Sequence, residues 1–201
     1  MNKGRLFIIS GPSGSGKDTV LQELFKKCPD LLFSISSVTR PMRQGETEGE
    51  KYNFISREQF ESMIANDELL EHNQFVGNYY GTPKAPVEAA INSGKDIIVE
   101  IDVNGAAQIR SKIKDAISVF IMPPSLEILK ARLSRRGTET ADVIEKRIAV
   151  ALGEISRATE YDYIVVNDDL IEAVDDFAAI ITADRLKIER QSALVDFVLN
   201  K

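Results

Sequence analysis

The run Gly11-Pro12-Ser13-Gly14-Ser15-Gly16-Lys17-Asp18-Thr19 carries the most specific chemistry in this chain. Glycines at these spacings let the backbone curl until successive N–H groups face one cavity, and a helix starting at Lys17 adds its positive end. The result is a cradle for nucleotide phosphates, with Lys17 reaching the outer ones as a mobile point charge. One position departs from the motif. Ser or Thr is expected after the lysine, to place a hydroxyl on Mg²⁺, and this chain has Asp18. Thr19 offers a hydroxyl one position later. Asp18 either touches the metal's water shell or favours the first helical turn, where a carboxylate is welcome; the second reading is preferred.

A second anion site is indicated by Arg40 and Arg43, three apart on one short segment, whose forks can converge on a single dianionic phosphate. Further arginines gather at Arg132, Arg135, Arg136 and Arg147. This local clustering matters because the whole chain is acidic: 31 Asp and Glu against 25 Lys and Arg, a net charge of −6. Broad nucleic-acid binding needs a basic face, so it is not expected. The lone histidine, His72 beside Glu71, reads as structural, since a phosphate acceptor already ionised at pH 7 needs no base.

These groups need a scaffold. With 201 residues and 43% hydrophobic content, the chain can bury a core in one domain carrying an inserted lobe. A single cysteine, Cys28, excludes an internal disulfide. No stretch approaches the length of a membrane span, and Leu6 to Ser10 is too short for a signal sequence, so a cytoplasmic location is expected.

Strands and helices alternate along most of the chain. Leu6 to Ser10 is read as a buried strand, and Lys17 to about Lys27 as a helix ended by Pro29. Lys95 to Ile101 is a second strand, followed by a helix from Asn104 to Lys112. Ile117 to Ile121 is a third, and Ser125 caps a helix reaching about Arg135. Tyr163 to Val166 is a fourth. From Leu170 to Arg190, Ile171, Val174, Phe177, Ala178 and Ile181 recur at helical spacing and read as a core stripe. Such alternation predicts an α/β fold, a parallel sheet with helices on both faces.

From about Phe33 to Thr82 the rhythm breaks into short extended pieces, Tyr52 to Ile55 and Gln74 to Val76, around one amphipathic helix from Ser56 to about Ala65. This stretch holds enough apolar material to pack as a small α+β insertion, a place where second substrates commonly bind.

Beyond the phosphate loop, Ser36-Ser37-Val38-Thr39-Arg40-Pro41-Met42-Arg43-Gln44-Gly45-Glu46, Gly49, Tyr52-Asn53-Phe54 and Glu71 follow in order. Gly77-Asn78-Tyr79-Tyr80-Gly81-Thr82, Glu100-Ile101-Asp102, Arg136-Gly137-Thr138-Glu139 and Val166-Asn167-Asp168-Asp169 complete the series. The whole series resembles the guanylate kinase family from the first strand to the final helix. Gly-Lys-x-Thr loops, as here with Thr19, also occur in nucleoside monophosphate kinases. Two small departures stand out: Val38 where members often have Thr, and a proline at 41 rather than beside the second arginine. The arginine spacing survives both.

The resemblance implies transfer of the γ-phosphoryl group of ATP to GMP, and to dGMP, with Mg²⁺ near Thr19 or Asp18. Residues 11–19 would hold ATP, Asn167 would border adenine, and Lys17, Arg136 and Arg147 would neutralise the transferring phosphate. The GMP phosphate would lie between Arg40, Arg43, Tyr52 and Tyr80. Guanine offers N1–H and N2–H₂ donors beside an O6 acceptor. A carboxylate suits the donors and a hydroxyl suits O6, roles the resemblance gives to Glu71, Ser36 and Thr82. Asp102, just past a strand's carboxyl end, lies where open α/β sheets bind ligands and would also meet guanine. The expected division is a core of 1–33 and 83–201 with a helical lid at about 125–160, and a GMP-binding insertion at 34–82, within one unit spanning 4–185. Two rival readings stay open: a ribose 1,5-bisphosphokinase, some of which carry Gly-Lys-Asp at the loop, and a non-catalytic guanylate-kinase-like binding module. No nucleic acid or membrane partner is expected, and the chain is either a monomer or a homo-oligomer.

Overall fold

The computed structural model describes residues 3–134 and 141–200. The chain divides into two compact units, one from Ile9–Asp30 with Ser118–Lys201 and the other from Lys3–Ile8 with Leu31–Ile117. A five-stranded sheet flanked by helices has the order β2-β7-β1-β8-β9. Its strands are β1 (Leu6–Ser10), β2 (Leu32–Phe33), β7 (Ile97–Glu100), β8 (Ile117–Met122) and β9 (Tyr163–Val166). β2 pairs β7 and β8 pairs β9 in parallel. Every residue of β1 is buried, which explains its unbroken apolar run: a strand covered on both faces has no solvent side to alternate with. The α/β expectation is met.

In the first unit, helix α1 (Lys17–Lys27) buries Val20, Leu21 and Leu24 and packs against α7 (Leu170–Arg185). Helices α5 (Leu126–Ser134) and α6 (Ala141–Ile155) share an apolar cluster of Leu129, Leu133 and Ala151. Ser125 accepts the Ile128 N–H at 3.2 Å, a cap at the start of α5. The tail needs correcting. Its helix stops at Arg185 and a separate one, α8 (Ile188–Leu199), follows; Ile171, counted in the core stripe, is 71% exposed. At the break, buried Asp184 faces Arg190 and Lys187 of the next segment rather than solvent.

The second unit holds a small mixed sheet of order β4-β3-β6-β5. Its strands are β3 (Ser36–Val38), β4 (Tyr52–Phe54), β5 (Leu69–Phe75) and β6 (Asn78–Pro83). Helix α2 (Arg57–Ala65) begins in a capping box, Ser56 with Gln59, and covers one sheet face through buried Phe60, which stacks on Tyr79 at 5.1 Å. Helices α3 (Lys84–Asn92) and α4 (Val103–Lys112) complete this unit.

Candidate functional site

In the first unit, the end of β1 at Ile9 and Ser10 delivers the chain into loop 11–16 and α1 takes it out. Gly11, Gly14 and Gly16 all have positive φ, and Gly16 is the left-handed cap of α1. A side chain at 16 would be strained there, and its Cβ would sit 2.2 Å from Asn167 Nδ2. Lys17 Nζ donates to the carbonyls of Gly11 at 2.6 Å and Pro12 at 3.3 Å, so the ammonium lies over the loop. Arg147 Nη2 donates to Ser13 Oγ at 2.7 Å. Ser15 Oγ is buried without a hydrogen-bond partner among the described residues, an orphan donor in the loop itself. Asn167 turns its carboxamide onto the Ser15 carbonyl at 2.7 Å, and Arg132 reaches the same oxygen at 3.3 Å. Arg136 lies outside the described residues.

Asp18 occupies the first turn of α1, exposed beside Thr19. Among the described residues no three His, Cys, Asp or Glu side chains could hold a metal together. A hydroxyl and one carboxylate suit a cation that keeps most of its waters and takes other ligands from phosphate oxygens, as Mg²⁺ does.

In the second unit, strand register assembles the other half. Ser36 lies opposite Tyr52, Val38 opposite both Phe54 and Tyr80, Tyr80 opposite Asn73, and Thr82 opposite Glu71. Opposed residues share a face and alternate residues return to it. Ser36, Tyr52, Tyr80, Thr82 and Glu71 therefore stand on one face of the small sheet, and Phe60 packs under the other.

Arg40, just past β3, is 7% exposed, with its guanidinium 5.1 Å from the Tyr52 ring centroid and 5.4 Å from that of Phe54. Its two terminal nitrogens each donate to Glu46 at 2.6 Å, and Nη1 also reaches the Pro41 carbonyl at 3.0 Å. Arg40 Nε remains buried with no partner among the described residues. Glu46 also accepts the Arg43 N–H at 2.7 Å, and the Arg40 bonds followed by this one hold its carboxyl at about 2. Glu46 raises Arg40 in turn, and the nearby Tyr80 phenol adds a smaller push. Arg43 itself is exposed at the rim.

Glu71 is buried and accepts the Thr82 hydroxyl at 2.8 Å on Oε1. Burial pushes its carboxyl up to about 7, and Asp102 adds to that, while the Thr82 hydrogen bonds pull the other way. Asp102 caps α4: one oxygen takes the Asn104 and Gly105 N–H groups at 2.9 and 2.8 Å, and the other takes Asn73 Nδ2 at 3.0 Å. Gln108 braces His72 through both of its backbone polar groups, so the histidine's strand is tied to α4.

Sequence reasoning gave no role to Glu46, Asn73 or Gly105. Only Glu46 left a trace, three residues after Arg43 on the same turn; the other two act through proximity in space.

A family model described as guanylate kinase matches residues 3–184. A guanylate kinase of Carboxydothermus hydrogenoformans is 50% identical over 190 residues, covering 94% of this chain and 93% of that one. One from Bradyrhizobium diazoefficiens is 46% identical over 197 residues, covering 98% and 90%. Among solved structures, the guanylate kinase of Anaplasma phagocytophilum aligns with a TM-score of 0.77 at 33% identity, over 94% of this chain and 90% of that one.

Proposed function

This chain belongs to the guanylate kinase family, and from that premise we propose how its residues divide the labour. The protein is an ATP:GMP phosphotransferase, moving the γ-phosphoryl group of ATP to GMP to give GDP and ADP. Loop 11–16 and α1 hold the ATP phosphates, Lys17 neutralises the outer ones, and Arg147 and Arg136 balance charge on the transferring group. Phosphoryl transfer is mostly alignment and electrostatics, so no general base is required. When bound with ATP, Mg²⁺ supplies further charge neutralisation, bordered by Thr19 and Asp18. We assign 34–82 as the GMP-binding insertion, 125–160 as the lid, and dGMP as a second acceptor. A cytoplasmic location fits the finding that, among the described residues, no helix is long and apolar enough to cross a membrane.

On the acceptor side Arg40 takes the GMP phosphate. Its end-on fork is held by Glu46 and its Nε is buried, so an incoming anion meets the second N–H of Nη2 or displaces the Glu46 carboxylate. Arg43 closes from the rim, with the phenols of Tyr52 and Tyr80 alongside. Glu71, with Ser36, Thr82 and Asp102, reads guanine.

One observation carries the acceptor reading: the buried Glu71–Thr82 pair shares a sheet face with Ser36, Tyr52 and Tyr80. A sugar phosphate offers hydroxyls but no base edge, so a carboxylate and hydroxyl set suited to guanine's paired N1–H and N2–H₂ donors and its O6 favours GMP. Steady-state assays with GMP, dGMP, AMP and ribose 1,5-bisphosphate test it. GMP should lead in kcat/KM, followed by dGMP; preference for the sugar or for AMP would overturn the assignment.

A further inference from the structure

Two side chains on different elements converge on a single backbone atom of the phosphate loop. The Ser15 carbonyl accepts from Asn167 Nδ2 at 2.7 Å and from Arg132 Nη1 at 3.3 Å. The same guanidinium donates through Nη2 to the Asn167 carbonyl at 3.0 Å. Asn167 is itself fixed, because its N–H donates to the Met122 carbonyl at the end of β8 at 2.8 Å. It is only 6% exposed.

A trans peptide is planar, with its carbonyl and its N–H pointing in opposite directions. Among the described residues no peptide is cis. Donors that hold the Ser15 carbonyl on one side therefore fix the Gly16 N–H on the other. Without such donors, the peptide between two small residues in a glycine-rich loop is free to rotate and lose its aim. The approach is so close that only glycine fits at position 16: an added Cβ would lie 2.2 Å from Asn167 Nδ2.

We propose that Arg132 and Asn167 are positioning residues that clamp the Ser15–Gly16 peptide, so that its N–H faces the ATP phosphates. They act on ATP through the loop. The clamp rests on the reading of loop 11–16 as the ATP cradle. Arg147 reaches the loop through a side chain, Ser13 Oγ.

The test compares wild type with N167A, R132A, R132K and the N167A/R132A double variant. ATP and GMP are each varied in steady state, GMP binding is followed by calorimetry, and bound ATP by phosphorus NMR. Losing these bonds should raise KM for ATP about ten-fold or more in each alanine variant and leave that for GMP within about two-fold. The double variant should be little worse than the weaker single one, because both donors serve one carbonyl. R132K should recover part of the loss, and the bound phosphate resonances should move toward those of free nucleotide. Unchanged KM for ATP, an equal rise for both substrates, or fully additive losses would each overturn the clamp. Unaltered GMP calorimetry shows the variants to be folded. Should wild type neither bind ATP nor phosphorylate GMP, it is the assignment of loop 11–16 that falls, a result separable from every variant outcome.

Discussion

Guanine's N1–H and N2–H₂ need an ionised partner, yet burial opposes the charge on Glu71 and lifts its carboxyl from 4.5 to about 7. If Glu71 reads guanine as proposed, GMP must displace the proton that burial keeps on it near neutral pH. KM for GMP should rise as pH falls below about 7. E71Q should bind GMP weakly at every pH and lose that part of the profile, keeping only the part due to the substrate's own phosphate, which titrates near pH 6. Stability runs the opposite way to GMP binding. A carboxyl raised in the folded state contributes stability that is full below its unfolded value of 4.5 and lost as pH climbs through about 7. Without GMP, E71Q should therefore be the more stable protein at pH 8, by about 2–3 kcal/mol, and the gap should close by pH 4. Thermal melts at the two pH values decide it; parallel curves would show that Glu71 is not held protonated by its surroundings.

Helix α4 is the element that gives Glu71 this environment. Its Gln108 grips the His72 backbone, its Lys112 donates to the Leu70 carbonyl at 2.6 Å, and its Gly105 leaves just enough room for the Glu71 carboxylate. An added Cβ at 105 would stand 2.7 Å from Glu71 Oε2, so either the helix or the carboxylate must shift. G105A should cost about 1–3 kcal/mol of stability and raise KM for GMP while sparing that for ATP. Equal KM values in G105A and wild type would show that the carboxylate relaxes freely. The elements also show what the sequence made legible. β1, α1 and β9 match their expected bounds to the residue, because an apolar run, a glycine loop or a proline leaves no alternative. β5 was seen only at its end, since Glu71, His72 and Asn73 interrupt the apolar signal with side chains that serve the site and its braces. Helix α3 was not among the expected elements; its Pro86 sits in the first turn, where its missing N–H costs nothing. Candidate site residues could be picked out inside motifs; the contacts of Arg132 with the Ser15 carbonyl and of Gly105 with Glu71 could not, because they join positions far apart in sequence.

For the molecule as a whole, an excess of six negative charges surrounds local groups of cations, Lys17 and Arg147 on one unit and Arg40 and Arg43 on the other, the arrangement that two anionic substrates on an acidic chain would need. Everything assigned to catalysis falls within 3–184, the extent of the family match, whereas α8 lies beyond it and buries none of its residues. Ion pairs and a hydrogen bond from Gln191 to the Arg185 carbonyl at 2.8 Å tie α8 to the end of α7. Asp184, 2% exposed at the end of α7, is held by Arg190 and by Lys187 at 3.1 Å. Removing both cations takes two charge partners from a buried carboxylate, a change that can cost about 3–5 kcal/mol. A chain ending after Leu186 should therefore lose much of that stability and yet keep the kcat and KM values of the full chain at temperatures where it remains folded. Adding D184N to the shortened chain should restore most of the loss, because a neutral amide no longer needs the cations. Denaturant melts of the three proteins, read beside their GMP kinetics, test both halves of the argument. If the shortened chain melts like the full one, the ion pairs do not hold it together; if it is stable but inactive, α8 belongs to the catalytic unit after all.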